Sequence, residues 1–419
     1  MADRRAHSRI QGLLDIGSGT VTAAVAVIEP STEDGRLSPR IAGLGAHRSR
    51  GVKAGVLTDL DEAETVVRAA VAQAERAAGV TIDSVIASVA CGRLSSRHFK
   101  ANAETDTGLV GSGDLARVMA AGQAYAEREG RALVHMNKLG FLLDGCAGIR
   151  DPRGLAARQI AVQLHAVTMD EAPLRNLLLL IDRCHLACDG IVAAPYASGR
   201  AATTAEERDL GVVCINLGAG TTSLAIFADG RLVGVDVVPV GAQHITYDIA
   251  KSLQTPLVEA ERIKTLYGTL LTAQSDDYET ISYPLAGDDP SAIAHTTRAR
   301  LTEIIRPRLA QIITLARERL AANEAGSLAS GKFVLTGGAS QLIGATEFFS
   351  EGLGRAGRLG KPGPMRGLTD AASTPQLSTL AGLAFAATGR DADFSSSLGA
   401  SSSSRGYLGR VGSWLKAGF

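Results

Sequence analysis

Hydrophobic and polar positions follow one order at two places along this chain. Leu13-Leu14-Asp15-Ile16-Gly17-Ser18-Gly19-Thr20-Val21 reads as an apolar strand, a polar residue, a glycine-rich turn bearing a hydroxyl, and a second apolar strand. Val213-Cys214-Ile215-Asn216-Leu217-Gly218-Ala219-Gly220-Thr221-Thr222 repeats that order in the second half. The β-branched residues beyond each turn predict a hairpin over 12–28 and a strand–turn–strand unit over 211–228. Glycines let the backbone take positive φ and bring N–H groups close to a ligand. Successive N–H groups in such a turn make a concave anion site. Two such turns suggest a nucleotide phosphate held between two related domains.

Between the repeats, Asp59 opens a helix with Glu62 placed for a capping box. Val66, Val67, Ala70, Val71 and Ala74 give that helix an apolar face, and Gly79 is its C-cap. A strand follows over 84–90. Residues 91–165 read as a small α+β insertion: a polar loop at 101–113, a helix over 115–128, and strands over 131–143 and 159–167. A helix near 171–183 returns the chain to the main body.

In the second half, Thr255-Pro256 is a cap followed by proline at the first helical position. Residues 272–290 read as polar loop. A long helix is expected over 291–322, kinked or split at Pro307. A buried strand over 332–335 runs into Thr336-Gly337-Gly338, with helices near 341–353 and 376–388 after it. Residues 390–406 are rich in Ser, Gly and Asp and read as a linker.

Composition narrows the function classes. With 45% hydrophobic and 21% charged residues the chain is ordinary globular protein of two or three domains. A formal net charge of zero and 4% aromatics argue against nucleic acid as a partner. The basic N-terminus lacks the apolar core of a signal peptide, and the longest apolar run, Leu177 to Ile181, is too short to span a bilayer. The five cysteines, an odd number, read as reduced thiols rather than a disulfide framework. Asp182, Cys184, His185 and Cys188 lack a matched second ligand pair and are read as a helix end, not a metal site.

Two phosphate hairpins followed by a late strand–Gly-Gly turn resemble the actin-like ATPase superfamily. Gly51-Val52-Lys53-Ala54-Gly55-Val56, Ala194-Pro195-Tyr196-Ala197-Ser198-Gly199, Thr255 to Lys264 and Ile304-Ile305-Arg306-Pro307-Arg308-Leu309 resemble the FtsA family of bacterial cell-division actin homologues. The resemblance implies an α/β, actin-like two-domain ATPase fold with a small α+β insertion subdomain and a C-terminal amphipathic helix. It implies subdomain 1A over 12–90, 166–210 and a closing helix at 371–389, with 1C at 91–165. Subdomain 2A would take 211–246 and 318–370, and 2B 247–317, with 1–11 a disordered N-terminus.

By the same resemblance the cofactors are ATP and Mg²⁺. Gly17, Ser18 and Gly19 would cradle phosphates from one side, and Gly218, Gly220, Thr221 and Thr222 from the other. Asp15 would act on the metal through water, because hard Mg²⁺ favours oxygen ligands. Glu261 and Lys264 would approach ribose and base, and Gly337 and Gly338 would lie against the adenosine. Read from the residues alone, Glu261 and Lys264 are an ordinary exposed ion pair. Asn216 stands where the superfamily usually has Asp, and Thr20 where the family often has Lys. A neutral amide orients water but is a poor base, so at most weak ATPase activity is expected and no residue is assigned to catalysis.

The chain ends Tyr407-Leu408-Gly409-Arg410-Val411-Gly412-Ser413-Trp414-Leu415-Lys416-Ala417-Gly418-Phe419. As a helix, Leu408, Val411, Trp414 and Leu415 share a face, Tyr407 and Phe419 lie at its ends, and Arg410 and Lys416 sit nearer the polar boundary. That pattern, carrying the sole Trp, fits an interfacial membrane helix over 407–419. The resemblance implies a protein that polymerises on the cytoplasmic face of the inner membrane at the division site. It would bind anionic lipids, tether the tubulin-like FtsZ near Arg306 and Arg308, and recruit later division proteins. A small-molecule kinase of the same superfold is the alternative.

Overall fold

The computed structural model describes residues 8–31, 37–91, 93–127, 130–149, 151–287, 293–329, 331–369 and 372–389. The chain starts as a hairpin of β1 (Arg9–Ile16) and β2 (Thr20–Pro30), paired antiparallel with Asp15 opposite Thr22. β3 (Leu37–Arg48) adds to β2. A minimal hairpin of β4 (Val52–Lys53) and β5 (Val56–Leu57) leads to α1 (Leu60–Ala78). Asp59 caps α1 by accepting from the Glu62 N–H at 3.0 Å, and Gly79 closes it at φ 70°. β6 (Ser84–Val89) then pairs parallel to β1.

The expected insertion follows. β7 (Ser95–Glu104), α2 (Ser112–Ala126), β8 (Arg131–Leu143), β9 (Cys146–Ile149) and β10 (Gln159–Asp170) form a four-stranded sheet in the order β7-β10-β8-β9 with one helix on it. It has its own core, including Val118, Phe141, Ile160, Val162 and Leu164. Part of the region read as loop is strand, because β7 runs on to Glu104.

The chain returns through α3 (Glu171–Arg183) and β11 (Ala187–Ala193), completing a sheet in the order β11-β6-β1-β2-β3. α4 (Ala194–Ala202) and α5 (Ala205–Leu210) lead into the second half. There β12 (Val212–Leu217), β13 (Thr222–Ala228) and β14 (Arg231–Val238) form the meander, followed by α6 (Ala242–Leu253) and α7 (Leu257–Tyr267). A hairpin of β15 (Thr280–Pro284) and β16 (Ile293–Thr297) precedes α8 (Arg298–Ala322). β17 (Lys332–Thr336), α9 (Ala345–Leu353) and β18 (Ala356–Leu359) finish the sheet β14-β13-β12-β17-β18, and α10 (Ser378–Ala386) is the last helix among the described residues.

The two five-stranded sheets share one topology. In each, three strands meander antiparallel, and the first pairs on its other side with two successive parallel strands. Residues Val21 to Ala26 of β2 and all of β13 are buried in unbroken runs, as expected of strands covered on both faces. The helices α4 and α10 pack against each other, and the apolar cluster of the first half extends to Val212, Cys214 and Phe227 of the second sheet. The halves are therefore joined through shared core as well as chain.

Three expectations in the second half fail. Thr255 does not cap α7, because its hydroxyl donates to the Pro284 carbonyl at 2.7 Å and Pro256 takes the cap position. The region read as loop contains β15, whose alternating Ile281 and Tyr283 are buried. The long helix starts at Arg298, not 291, and runs unbroken through Pro307. Leu301, Ile305, Leu309, Ile312, Ala316 and Leu320 form a buried stripe along α8, and their burial outweighs the ~3 kcal/mol cost of an internal proline.

Candidate nucleotide site

The two glycine turns have the same backbone hydrogen bond. Gly17 N–H donates to Thr20 O at 3.1 Å, and Gly218 N–H donates to Thr221 O at 3.0 Å. A Cβ on either glycine would stand 2.9 Å from that carbonyl oxygen, so both positions require glycine. The turns face each other. A Cβ on Gly19 would come within 2.7 Å of the Ala219 Cβ, and one on Gly220 would strike the Ser18 side chain. Ser18 Oγ in turn accepts from Gly55 N–H at 2.8 Å, which fastens the Gly51–Val56 loop to the first turn. Behind the second turn, α6 begins with Ala242 N–H and Gln243 N–H donating to Gly218 O and Ala219 O.

Asp15, next to last in β1, lies beside Ser88, whose hydroxyl donates to Asp15 Oδ1. Burial raises its pKa to about 6, against the lowering effect of that hydrogen bond. Asn216 holds the equivalent place on β12, with Thr336 as its parallel neighbour. Its amide donates to Thr379 Oγ1 at 3.3 Å, and its Oδ1 lies against Gly337. Ser88 and Thr379 were not among the expected site residues; a lone polar side chain in the apolar run of β6 is the signal that marks Ser88.

The remaining expected residues divide. Gly337, at φ 89°, sits at the end of β17, and its N–H donates to Pro375 O at 3.2 Å. Gly338 lies beside Gln376, whose amide donates to Thr20 Oγ1 at 3.3 Å. The late Gly-Gly turn is thus joined to the first phosphate turn through the closing segment. Thr222, by contrast, is fully buried and its hydroxyl donates to Val240 O at 2.8 Å, so it braces the second turn from behind. Thr221 contributes the backbone carbonyl that closes that turn.

Glu261 and Lys264 are not an exposed pair. Lys264 is 8% exposed, and its Nζ donates to Glu261 Oε2 at 2.7 Å and Thr246 Oγ1 at 2.8 Å. Thr246 Oγ1 donates to the same Glu261 oxygen at 2.6 Å. Burial opposes ionisation of Glu261, but Lys264, Thr246 and the charge of Arg48 together hold its pKa below the usual carboxylate value. The three side chains lock α7 to the first turns of α6.

Arg306 and Arg308 both have internal partners. Arg306 donates to Leu270 O at 2.7 Å and lies 4.9 Å from the Phe348 ring centroid. Arg308 grips Asp248 with two hydrogen bonds of 2.7 and 2.8 Å. Tyr407, Leu408, Arg410, Val411, Trp414, Leu415, Lys416 and Phe419 lie outside the described residues, as do 1–7 and 390–406. Among the described residues, no helix is long and apolar enough to cross a membrane.

A single carboxylate at the foot of the first turn fits Mg²⁺, which keeps most of its water and takes its other ligands from phosphate oxygens. Among the described residues no group of three or more His, Cys, Asp or Glu side chains is placed to enclose a metal. Asp15 is thus the residue that would hold the ion, and the ion would supply charge neutralisation at the phosphates.

Comparison with known proteins accords with this geometry. Residues 213–382 match the family model "Cell division protein FtsA", and residues 92–168 match "SHS2 domain inserted in FTSA". The cell division protein FtsA of Agrobacterium fabrum is 38% identical over 429 aligned positions, covering 100% of this chain and 96% of that protein. Among solved structures, the PilM-PilN type IV pilus biogenesis complex superposes with a TM-score of 0.63 at 17% identity, covering 90% of this chain and 98% of that one. MreB 5 of Spiroplasma citri bound to AMPPNP gives 0.51 at 14% identity, covering 90% and 95%. Both share the actin-like fold. With its doubled sheet, its insertion and its full-length similarity to curated relatives, this chain belongs to the FtsA family of cell-division proteins.

Proposed function

We propose that this chain is an ATP-binding, actin-like scaffold that polymerises at the inner membrane, tethers FtsZ there and helps recruit later division proteins. The observation that carries the nucleotide reading is the facing pair of equivalent glycine turns, each closed by the same backbone hydrogen bond and too tight for a Cβ. The related fold of MreB 5 holding AMPPNP supports it. Gly17, Ser18 and Gly19 bind phosphate from the first half, and Gly218, Gly220 and Thr221 from the second. Asp15 carries the Mg²⁺, and Gly337 and Gly338 take the adenosine. Glu261 and Lys264 shape the ribose side as a fixed pair.

The subdomain boundaries given above go with this reading, and so does membrane attachment through 407–419. Each copy binds membrane weakly, because ordering a short glycine-bearing segment costs about 1–2 kcal/mol per residue. A polymer presents many copies and gains avidity without new contacts. FtsZ meets the 247–317 region near Arg306 and Arg308, whose half-buried side chains are oriented by Leu270 O and Asp248. Hydrolysis is slow, because Asn216 orients water without accepting its proton.

The test is cosedimentation of the full chain with anionic vesicles and FtsZ, with and without Mg-ATP, beside a chain lacking 407–419. ATP-promoted sedimentation that carries FtsZ down and is lost with the tail is the expected result. Equal sedimentation of the shortened chain would overturn the membrane assignment.

A further inference from the structure

Neither glycine turn contains a cation. Gly17-Ser18-Gly19-Thr20 and Gly218-Ala219-Gly220-Thr221 offer only hydroxyls and backbone N–H groups. Lys264 is committed to Glu261 and Thr246. A nucleoside triphosphate brings several negative charges, and partial charges on backbone N–H groups leave most of them uncompensated.

The register of the first sheet places one cation at this spot. Asp15 pairs with Thr22, and Thr20 pairs with Arg48 on β3. Directly opposed residues of an antiparallel pair share a face, and so do residues two apart on one strand. Asp15, Thr22, Thr20 and Arg48 therefore occupy one face of the sheet, the face reached by Gln376 when it donates to Thr20 Oγ1. The next residue, Ser49, donates its N–H to Gly19 O at 3.0 Å, which pins the end of β3 to the first turn. Arg48 itself is exposed, and its charge is felt by Glu261 on α7, in the opposite half. Arg48 thus shares a sheet face with Asp15 and acts electrostatically on α7.

We propose that Arg48 is a phosphate-contacting residue of the nucleotide site, supplying from the neighbouring strand the positive charge that both turns lack. The inference rests on the ATP-binding reading above. Guanidinium is suited to this, because its planar fork meets phosphate oxygens two at a time. It also sets a preference: the site favours ligands by phosphate charge, not only by the adenosine.

The experiment measures the Kd of Mg-ATP and of adenosine for the full chain, for R48A, for R48K and for R76A. Arg76 is an exposed residue in the last turn of α1 and serves as the charge-matched control. R48A is expected to weaken Mg-ATP about 10- to 100-fold, the range for losing a hydrogen-bonded charge, while adenosine changes less than about twofold. R48K recovers part of the loss, and R76A matches the unaltered chain. If Arg48 served only to brace Glu261, R48A would weaken ATP and adenosine alike, and that result overturns the assignment. So does unchanged ATP affinity in R48A. Failure of the unaltered chain to bind ATP would sink the nucleotide reading itself, a different outcome from either.

Discussion

The two phosphate turns share a backbone and differ in what the strand before each turn presents. At the first, Asp15 is a carboxylate pushed up to about 6 by burial and steadied by Ser88. At the second, Asn216 is an amide tied to Thr379 on α10 and backed by Gly337. The two sheets thus share the turn geometry, which depends on glycine and hydrogen bonding. The side chain that decides chemistry diverged. The first half presents a buried carboxylate at its turn, and the second an amide that holds the closing helix.

The sharpest way to break this contrast is D15N. It should weaken Mg-ATP by about 100-fold, and a titration repeated without Mg²⁺ should show much less difference between the two proteins.

Next in size is a pH effect. Burial raises the folded pKa of Asp15 from the ordinary carboxylate value near 3.8 to about 6, so the folded state holds this proton more tightly than the unfolded state. The wild type should therefore lose stability relative to D15N as pH rises from about 4 to about 6, by about 2 kcal/mol, and level off about one pH unit above that window. Burial lowers the pKa of His135 to about 4, which gives the opposite slope in the same window. That contribution is common to both proteins, so the difference between their denaturation curves isolates Asp15.

The converse exchange, N216D, should raise phosphate release about tenfold by restoring a base beside the second turn. Unchanged turnover would mean that Asn216 is not what keeps hydrolysis slow. The smallest effect belongs to T379A, which removes one 3.3 Å hydrogen bond and should cost about 0.5–1 kcal/mol in chemical denaturation.

Both hairpins were legible because their signal is local: glycine spacing and β-branched runs act within a dozen residues. The cap at Asp59 and the stop at Gly79 were legible for the same reason. What sequence reasoning missed was set by distant neighbours. Glu261 and Lys264 look like a surface pair on α7 until α6 lays Thr246 over them. Thr222 looks like a phosphate ligand until β14 ends at Val238 and the chain brings Val240 O to its hydroxyl. Pro307 looks like a break until the stripe of α8 is packed against the second sheet and its helices. β15 is short and polar on its outer face, so composition alone hides it.

One last feature bears on mechanics. α10 lies against α4 and the first sheet, and just beyond it the Ala387 carbonyl accepts a hydrogen bond from Arg9 at the start of β1. The far end of the same helix is the part that reaches Asn216 and Thr336 of the second half. Tension drawn through the residues after Gly389 would enter beside β1 and be borne by the first sheet. The same helix carries the bonds from Ser378 and Thr379 to the second half at its other end, so the two halves would meet that load through one shared element.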